Sequence, residues 1–255
     1  MRESIAEVRG QRLRVMEAGE GPTLLFFHGS SGLSWTPVLE FLSRDWRVVA
    51  PEHPGFGRSQ IPDWMMGVGD LAFFYLDMLE ALELRDLNVV GHSLGGWIAA
   101  EIAIRNTARL NAMALLAPAG VASDVPFGDI FLWSPEVNAQ HQFYDPALAE
   151  QRVKAQAALD LDVVLQNRAA VARLAWSPRL HNPQLPYWLH RIDIPTLLVW
   201  GENDEVIPPA CHEAFLREIP RAELFTLPKT GHALQIEHAD HAAKRVTAFF
   251  RDARR

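Results

Sequence analysis

The sequence predicts an α/β protein whose mostly parallel β-sheet is flanked by helices, with one helical insertion. Strand patterns alternate with helix patterns along most of the chain, and several strand patterns are continuous apolar runs. Alternating strands and helices form parallel sheets covered on both faces, and strands buried in this way have such apolar runs. Because these sheets place their chemistry at the carboxyl ends of the strands, the loops that follow the strands are the candidate functional segments.

The first half of the chain supplies six strand patterns. Residues 5–8 and 13–15 flank Gly10 and predict an antiparallel hairpin, because polar and apolar residues alternate in the second strand. The next four strand patterns lie at residues 23–27, 46–50, 87–90 and 110–116. Helices with apolar residues at helical spacing are predicted at residues 35–42, 70–82 and 97–104. This half of the chain therefore predicts one hairpin followed by strand–helix units.

The pattern changes after the sixth strand. Between residues 121 and 191 strand patterns vanish, and a long helix is predicted at residues 147–165. Strand–helix alternation then resumes, with strands at residues 195–200 and 223–227 and helices at residues 209–218 and 238–251. We therefore predict a core domain formed by residues 1–120 and 192–255, with residues 121–191 inserted as a helical cap.

Length and composition bound the functional classes. The chain has 255 residues, of which 49% are hydrophobic and 22% charged, as is typical of a soluble globular protein. Its net charge of −7 gives no electrostatic support for binding nucleic acid or an anionic membrane. Neither a signal peptide nor a membrane span is visible, so we expect a cytoplasmic protein. The single cysteine excludes an intrachain disulfide, and no histidine spacing suggests a metal site.

A serine lies at a predicted strand–turn–helix corner. Residues 91–95 read Gly-His-Ser-Leu-Gly and match the pattern Gly-x-Ser-x-Gly. Such a corner is sharp and strained, and it leaves the serine hydroxyl exposed, while a Cβ at either glycine would collide with the neighbouring strand or helix. The pattern predicts Ser93 as a nucleophile, and it predicts His92 as a packing residue that points away from Ser93.

An acid and a histidine follow two later strands, at the same edge of the predicted sheet as Ser93. Asp204 follows the strand that ends at residue 200, and His232 follows the strand that ends at residue 227. A serine hydroxyl becomes a good nucleophile when an imidazole takes its proton, and a carboxylate fixes the tautomer of that imidazole. We choose Asp204 over Glu202 and Glu205 because residues 206–208 predict a turn that fixes the loop.

Two further sets of residues complete the predicted site. The backbone N–H groups of Ser30 and Leu94 are predicted to form an oxyanion hole, because both follow strands at this edge. Trp97, together with Trp133 and Trp176 of the predicted cap, is predicted to shape an apolar pocket over Ser93. The expected ligand is a small ester or a related carbonyl compound, and the sequence leaves open whether the protein is a monomer or a homodimer.

Five segments together resemble the α/β-hydrolase superfamily. They are residues 28–29, 54–59, 91–96, 201–204 and 231–232. The resemblance implies an eight-stranded sheet, with Ser93 as nucleophile, His232 as base, Asp204 as its orienting acid, and no cofactor.

Within the superfamily the chain resembles the capped group that includes carboxylesterases and carbon–carbon bond hydrolases of aromatic-ring breakdown. Arg168 lies where those carbon–carbon hydrolases carry an arginine for the substrate carboxylate, whereas His92 and Ala233 depart from their pattern. The leading expectation is a serine hydrolase that cleaves small to medium apolar esters, or lactones, through an acyl-enzyme. The alternative is a carbon–carbon bond hydrolase of meta-cleavage-type diketo acids. A third hypothesis is a non-catalytic small-molecule receptor on the same fold.

Overall fold

The computed structural model of the protein describes residues 1–253, so residues 254–255 of the predicted core domain lie outside it. Its sheet has eight strands in the order β1-β2-β4-β3-β5-β6-β7-β8. The strands are β1 (Arg2–Val8), β2 (Gln11–Ala18), β3 (Thr23–Phe27), β4 (Arg47–Pro51), β5 (Leu87–His92), β6 (Leu110–Leu116), β7 (Thr196–Gly201) and β8 (Ala222–Leu227). Strand β2 pairs antiparallel with β1 and β4, and all other pairs are parallel. The predicted eight-stranded, mostly parallel sheet is confirmed.

The described residues also form nine α-helices. They are α1 (Pro37–Leu42), α2 (Val68–Ala81), α3 (Leu94–Ala103), α4 (Pro135–Gln142), α5 (Pro146–Ala157), α6 (Leu161–Ala175), α7 (His212–Glu218), α8 (Leu234–Glu237) and α9 (Ala239–Asp252). Helix α2 packs against α3, and α1 packs against α9. Among residues 1–253, no helix is long and apolar enough to cross a membrane.

The order of the strands positions the functional loops. Strand β5 is buried at all six positions and lies between β3 and β6. The chain moves from β3 outward to β4 in one direction and from β5 outward to β6 in the other, so the direction reverses between β3 and β5. Crevices at such a reversal, beyond the carboxyl ends of the strands, are where ligands bind in open α/β sheets. The loops that follow β3 and β5 therefore flank the favoured site.

The helices between β6 and β7 differ from the prediction. The single helix expected at residues 147–165 is two helices, because the Asp160 side chain accepts a hydrogen bond from the Asp162 N–H and begins α6 as an N-cap. Helix α4 was not predicted, although Ser134 caps it and Pro135 occupies its first turn, where proline is favoured. The division of the chain into core and cap at residues 121 and 191 stays a prediction.

Two of these helices contact the segment that follows β8. A small apolar cluster contains Ala139 of α4, Phe143 just beyond it, Ala149 of α5 and Ala233. Because Ala233 directly follows His232 in the chain, the packing of α4 and α5 bears on the position of that histidine.

Candidate active site

Ser93 occupies the corner between β5 and α3. Its backbone has φ +55° and ψ −117°, a conformation that is strained for any residue with a Cβ. The neighbouring backbone holds it there, since the Ser93 N–H donates to the Leu116 carbonyl oxygen at 2.9 Å and the Ser93 carbonyl oxygen accepts from the Ala119 N–H at 3.1 Å. A Cβ on Gly91 would collide with the carbonyl oxygen of Gly95. The glycines of this corner are therefore dictated by close backbone contacts.

The structure brings Ser93, His232 and Asp204 into one hydrogen-bonded chain. His232 Nε2 lies 2.9 Å from Ser93 Oγ, and His232 Nδ1 lies 2.7 Å from Asp204 Oδ2. All three side chains are buried. With Nδ1–H donating to the carboxylate, Nε2 is left as the acceptor for the serine proton. Glu205 instead contacts His141 at 2.5 Å, and Glu202 is exposed, so neither of the alternative acids approaches His232.

Backbone hydrogen bonds fix the loops that carry the acid and the histidine. Oδ1 of Asp204 accepts from the N–H groups of Val206 and Ile207, each at 2.9 Å, which leaves Oδ2 for His232. The carboxylate of Glu237 accepts from the Gly231 N–H at 2.6 Å and from the Asp145 N–H at 3.0 Å. Glu237 therefore links the histidine loop to the chain segment just before α5.

The predicted oxyanion donors lie beside Ser93. Within residues 1–253, neither the Ser30 N–H nor the Leu94 N–H donates a hydrogen bond to another residue. Leu94 begins α3, where backbone N–H groups lack partners in the helix and favour negative charge. Ser30 lines the same cavity as Ser93 and His232. Both N–H groups are therefore free to bind an oxygen that carries negative charge.

His92 does not point away from the site as the sequence predicted. Its ring lies 5.0 Å from that of His232, and its Nε2–H donates to the His232 carbonyl oxygen at 3.1 Å. Burial, together with the nearby His232, lowers the pKa of His92 to about 3, so His92 is neutral at pH 7. It orients the backbone of His232.

Among residues 1–253, no three His, Cys, Asp or Glu side chains form a cluster that could hold a metal ion.

One cavity lies at Ser93, and a second cavity shares part of its wall. The first, of about 60 Å³, is lined by Ser93 and His232, and the second, of about 90 Å³, is lined by residues of α5, α6 and the segment before α4. Ser30, Ser31 and Arg152 line both cavities.

The four predicted pocket residues separate into two pairs. Trp133 and Arg168 line the second cavity, where Arg168 Nη2 lies 3.5 Å from the carbonyl oxygens of Phe131 and Trp133. Trp97 and Trp176 line neither cavity. The indole N–H of Trp97 donates to Glu101 on the next turn of α3, at 3.0 Å, and this contact turns the ring away from Ser93. Trp176 is about half exposed at the end of α6.

Arg152 is the charged residue that the sequence prediction missed. It lies on α5, lines both cavities, and makes no hydrogen bond or ion pair with any residue among 1–253. Burial lowers the pKa of its guanidinium group, which stays charged because the ordinary value is so high. The helical pattern was visible in the sequence. The rotation of α5 about its axis, which aims Arg152 at the cavity, depends on how the helix packs.

The comparisons with known proteins agree with this architecture. Residues 24–245 match the family model described as the alpha/beta hydrolase family. The 2-hydroxymuconate semialdehyde hydrolase of Pseudomonas sp. (strain CF600) is 28% identical over an alignment of 262 positions including gaps, and the alignment covers 96% of this chain and 92% of that protein.

Two solved structures are similar over nearly the whole chain. A meta-cleavage product hydrolase from Pseudomonas fluorescens IP01 is 26% identical, with a TM-score of 0.83 and 98% of each chain covered. A membrane phospholipase A, described as a bacterial virulence factor, is 25% identical with a TM-score of 0.85, and the match covers 99% of this chain and 86% of that one. Given the family match over most of its length, this chain belongs to the alpha/beta hydrolase family.

Proposed function

We propose that this protein is a serine hydrolase that cleaves a carbon–carbon bond in a diketo acid of the meta-cleavage type. The observation that carries the proposal is the hydrogen-bonded chain from Asp204 through His232 to Ser93. The choice of bond is supported by two similar hydrolases, of 2-hydroxymuconate semialdehyde and of a meta-cleavage product, which match over more than 90% of their own lengths. The leading expectation from sequence, ester cleavage, becomes the second candidate.

The first half of the reaction forms an acyl-enzyme. Ser93 Oγ attacks the ketone carbon while His232 Nε2 takes the hydroxyl proton, and Asp204 stabilises the resulting imidazolium. The negative charge that develops on the ketone oxygen is bound by the N–H groups of Ser30 and Leu94, each of which contributes about 3 kcal/mol. The bond between the two carbons then breaks. Its electron pair leaves as a carbanion that is delocalised through the conjugated chain onto the distant carbonyl oxygen.

The second half restores the enzyme. The imidazolium of His232 gives its proton to the departing carbanion. Water, deprotonated by His232, attacks the ester that joins the acyl group to Ser93 and releases a carboxylic acid. One water molecule is thereby added across the carbon–carbon bond. His232 accepts or donates the proton in each of these steps.

Ester hydrolysis is the second candidate because it uses the same steps with an alkoxide as the leaving group. The similarity to a phospholipase A supports it. The two candidates differ in the demand on the leaving group, since a carbanion requires conjugation to a second carbonyl and an alkoxide does not. A matched set of substrates therefore separates them.

The experiment compares a 2-hydroxy-6-oxo-dienoate, the enol tautomer from which the diketo acid forms by proton transfer, with 4-nitrophenyl esters of increasing acyl length, using wild type and Ser93→Ala. We expect loss of the dienoate absorbance at a kcat/KM at least about tenfold above that of the best ester, and a loss of about 10⁴-fold or more in Ser93→Ala. A fluorophosphonate should label Ser93. Faster ester turnover would favour the second candidate. No turnover of either class, and no labelling, would contradict a serine hydrolase.

A further inference from the structure

Arg152 is a partly buried cation that has no hydrogen-bond or ion-pair partner among residues 1–253. Other partly buried arginines bond to protein acceptors: Arg105 and Arg14 pair with Glu101 and Glu52, and Arg173 donates to backbone carbonyl oxygens. Removing a charge from water without pairing it is unfavourable, so such a group marks a place where a ligand can supply the opposite charge. No residue among 1–253 supplies that charge to Arg152.

The cavities that Arg152 lines suit an anion. In the part of the chain that the structure describes, no aspartate or glutamate lines either the cavity at Ser93 or the one that adjoins it. Among residues 1–253, the only Lys, Arg, Asp or Glu side chains in the two walls are those of Arg152 and Arg168. The two walls therefore carry positive charge, although the chain as a whole has a net charge of −7. Among the described residues, no acidic side chain in these walls would repel an incoming anion.

Two more polar groups in the wall of the Ser93 cavity lack partners. Thr36 Oγ1 and Gln235 Oε1 are buried atoms with no hydrogen bond to any described residue, and both residues line that cavity together with Arg152. A buried polar atom without a hydrogen bond destabilises the folded state, and such atoms are rare in native structures. The guanidinium and the hydroxyl can donate to a ligand with several acceptor oxygens, whereas Gln235 Oε1 is an acceptor and could take part only after its amide oxygen and nitrogen exchange places.

Arg152 is also accessible from a third space. A groove of about 790 Å³ is lined by residues of the β1–β2 hairpin, the segment after β4 and helix α6, and it shares Ser31 and Arg152 with both cavities. Arg12, Arg14 and Arg58 also line it, together with Glu3 and Glu52, which both pair with Arg14. Arg152 therefore lies where the inner cavities meet a wider groove.

From this geometry we infer that Arg152 binds the carboxylate of the substrate while the reacting carbonyl lies at Ser93. The planar guanidinium suits two parallel hydrogen bonds to a carboxylate, the Thr36 hydroxyl donates another, and the Gln235 amide donates a further one after a half-turn that exchanges its oxygen and nitrogen. The inference deepens the proposed function and rests on it. It assigns the carboxylate to α5 instead of to Arg168 of α6, the position that the sequence resemblance suggested.

The first test uses two pairs of esters that differ in one carboxylate. In one pair the leaving group carries it: 4-acetoxybenzoate against its methyl ester. In the other pair the acyl group carries it: mono(4-nitrophenyl) glutarate against 4-nitrophenyl hexanoate. The quantity measured is the ratio of kcat/KM for the charged and neutral members. Because the ratio is taken within one protein, a general loss of folded enzyme cancels.

The variants are Arg152→Gln, Arg152→Lys and Arg168→Gln. We expect wild type to prefer the charged member of at least one pair, Arg152→Gln to lower that ratio by about 10- to 100-fold, and Arg152→Lys to retain part of it. Arg168→Gln should change the ratio by less than about threefold. The inference is overturned if neither pair shows a preference for the charged member, or if Arg168→Gln lowers the ratio and Arg152→Gln does not.

A binding measurement separates failure of this inference from failure of the proposed function. Calorimetry with Ser93→Ala compares 2-oxopentanoate with the neutral 2-pentanone, and then repeats the titration in the double variants with Arg152→Gln or Arg168→Gln. Tighter binding of 2-oxopentanoate that is lost with Arg152→Gln supports the anion site even if no carbon–carbon bond is cleaved. Equal affinities for the two compounds, or a loss confined to the Arg168→Gln double variant, would contradict it.

Discussion

Asp204 divides its two oxygens between anchoring and orientation. Oδ1 is held by two backbone N–H groups of its own loop, and Oδ2 faces His232 Nδ1 at 2.7 Å. Glu205, next to it in sequence, contacts His141 instead. At the scale of single residues, the function of an acid in this loop thus depends on which carboxylate the backbone turns inward.

Asp204→Asn tests this division. The asparagine amide is nearly the same size as the carboxylate but has no negative charge to stabilise the imidazolium. Its NH₂ group can also donate to Nδ1, which favours the wrong tautomer of His232. We expect kcat to fall by about 10⁴-fold with little change in KM. The control is Glu205→Gln, for which steady-state kinetics should show less than about a threefold change. Similar losses in both variants would refute the assignment of Asp204.

Glu237→Gln tests a second carboxylate, one that does not touch the serine. It removes the charge that accepts from Gly231 N–H and Asp145 N–H. Hydrogen bonds to charged groups contribute about 1.5–3 kcal/mol, so we expect the free energy of unfolding to fall by about 1–2 kcal/mol and kcat to fall about tenfold as the histidine loop loosens. The same measurements on Glu213→Gln, at an exposed site on α7, should show neither effect. An unchanged kcat in Glu237→Gln would contradict the positioning role.

At the scale of elements, the corner between β5 and α3 is set by the approach of α3 to β3. A Cβ on Gly95 would collide with the carbonyl oxygens of Phe27 and His28, at the end of β3 and just beyond it. Helix α3 can start directly after Ser93 only because the helix and strand approach so closely. The loop of Ser30 is also close to this corner, because a Cβ on Gly29 would lie 3.4 Å from Ser93 Cβ.

Gly95→Ala should therefore destabilise the protein. The obstructing atoms belong to the backbone and cannot rotate aside, so we expect a loss of about 3 kcal/mol in the free energy of unfolding, measured by urea denaturation. Gly67→Ala is the matched control, because no atom lies within 4 Å of the added Cβ and the change should cost less than about 1 kcal/mol. Equal effects would show that close packing at the corner is not the cause.

At the scale of the whole molecule, buried neutral histidines couple stability to pH. Burial lowers the pKa of His53 to about 3, and burial with the neighbouring His232 lowers that of His92 to about 3. The unfolded chain, with histidine pKa values near 6.5, binds more protons than the folded chain between these limits. These histidines therefore do not lower the free energy of unfolding above about pH 6.5, and they lower it progressively as the pH falls toward 3.

His92→Asn should weaken this dependence. Each such histidine lowers the free energy of unfolding by about 1.4 kcal/mol per pH unit below its unfolded pKa. Between pH 7.5 and pH 5.5, the free energy of unfolding of wild type should therefore fall by about 1.4 kcal/mol more than that of His92→Asn. Urea unfolding at the two pH values measures the difference. His190→Asn, at an exposed position, should follow wild type. If His92→Asn also follows wild type, His92 is not buried in its neutral form.

Much of the fold could be predicted from the sequence because local residue patterns determine where its strands and helices lie. Strands β3 and β6 were predicted with the bounds that the structure has, since continuous apolar runs bounded by turns leave few alternatives. The loops of Ser93, Asp204 and His232 were found for the same reason, because each follows a strand of the parallel sheet. The break in the helix at residues 147–165 was missed, although Asp160 is a good N-cap, because helical periodicity continues across it.

The sequence by itself determined the order of strands and helices, the corner at Ser93 and the three loops that meet at one edge, because local residue patterns and strand direction decide these features. Tertiary structure alone decided which side chains face the cavity. It turned Trp97 toward Glu101, brought His92 against His232 and left Arg152 unpaired at the junction of the cavities. The rotation and docking of each helix depend on contacts between segments far apart in the chain, and periodicity within one segment does not contain that information.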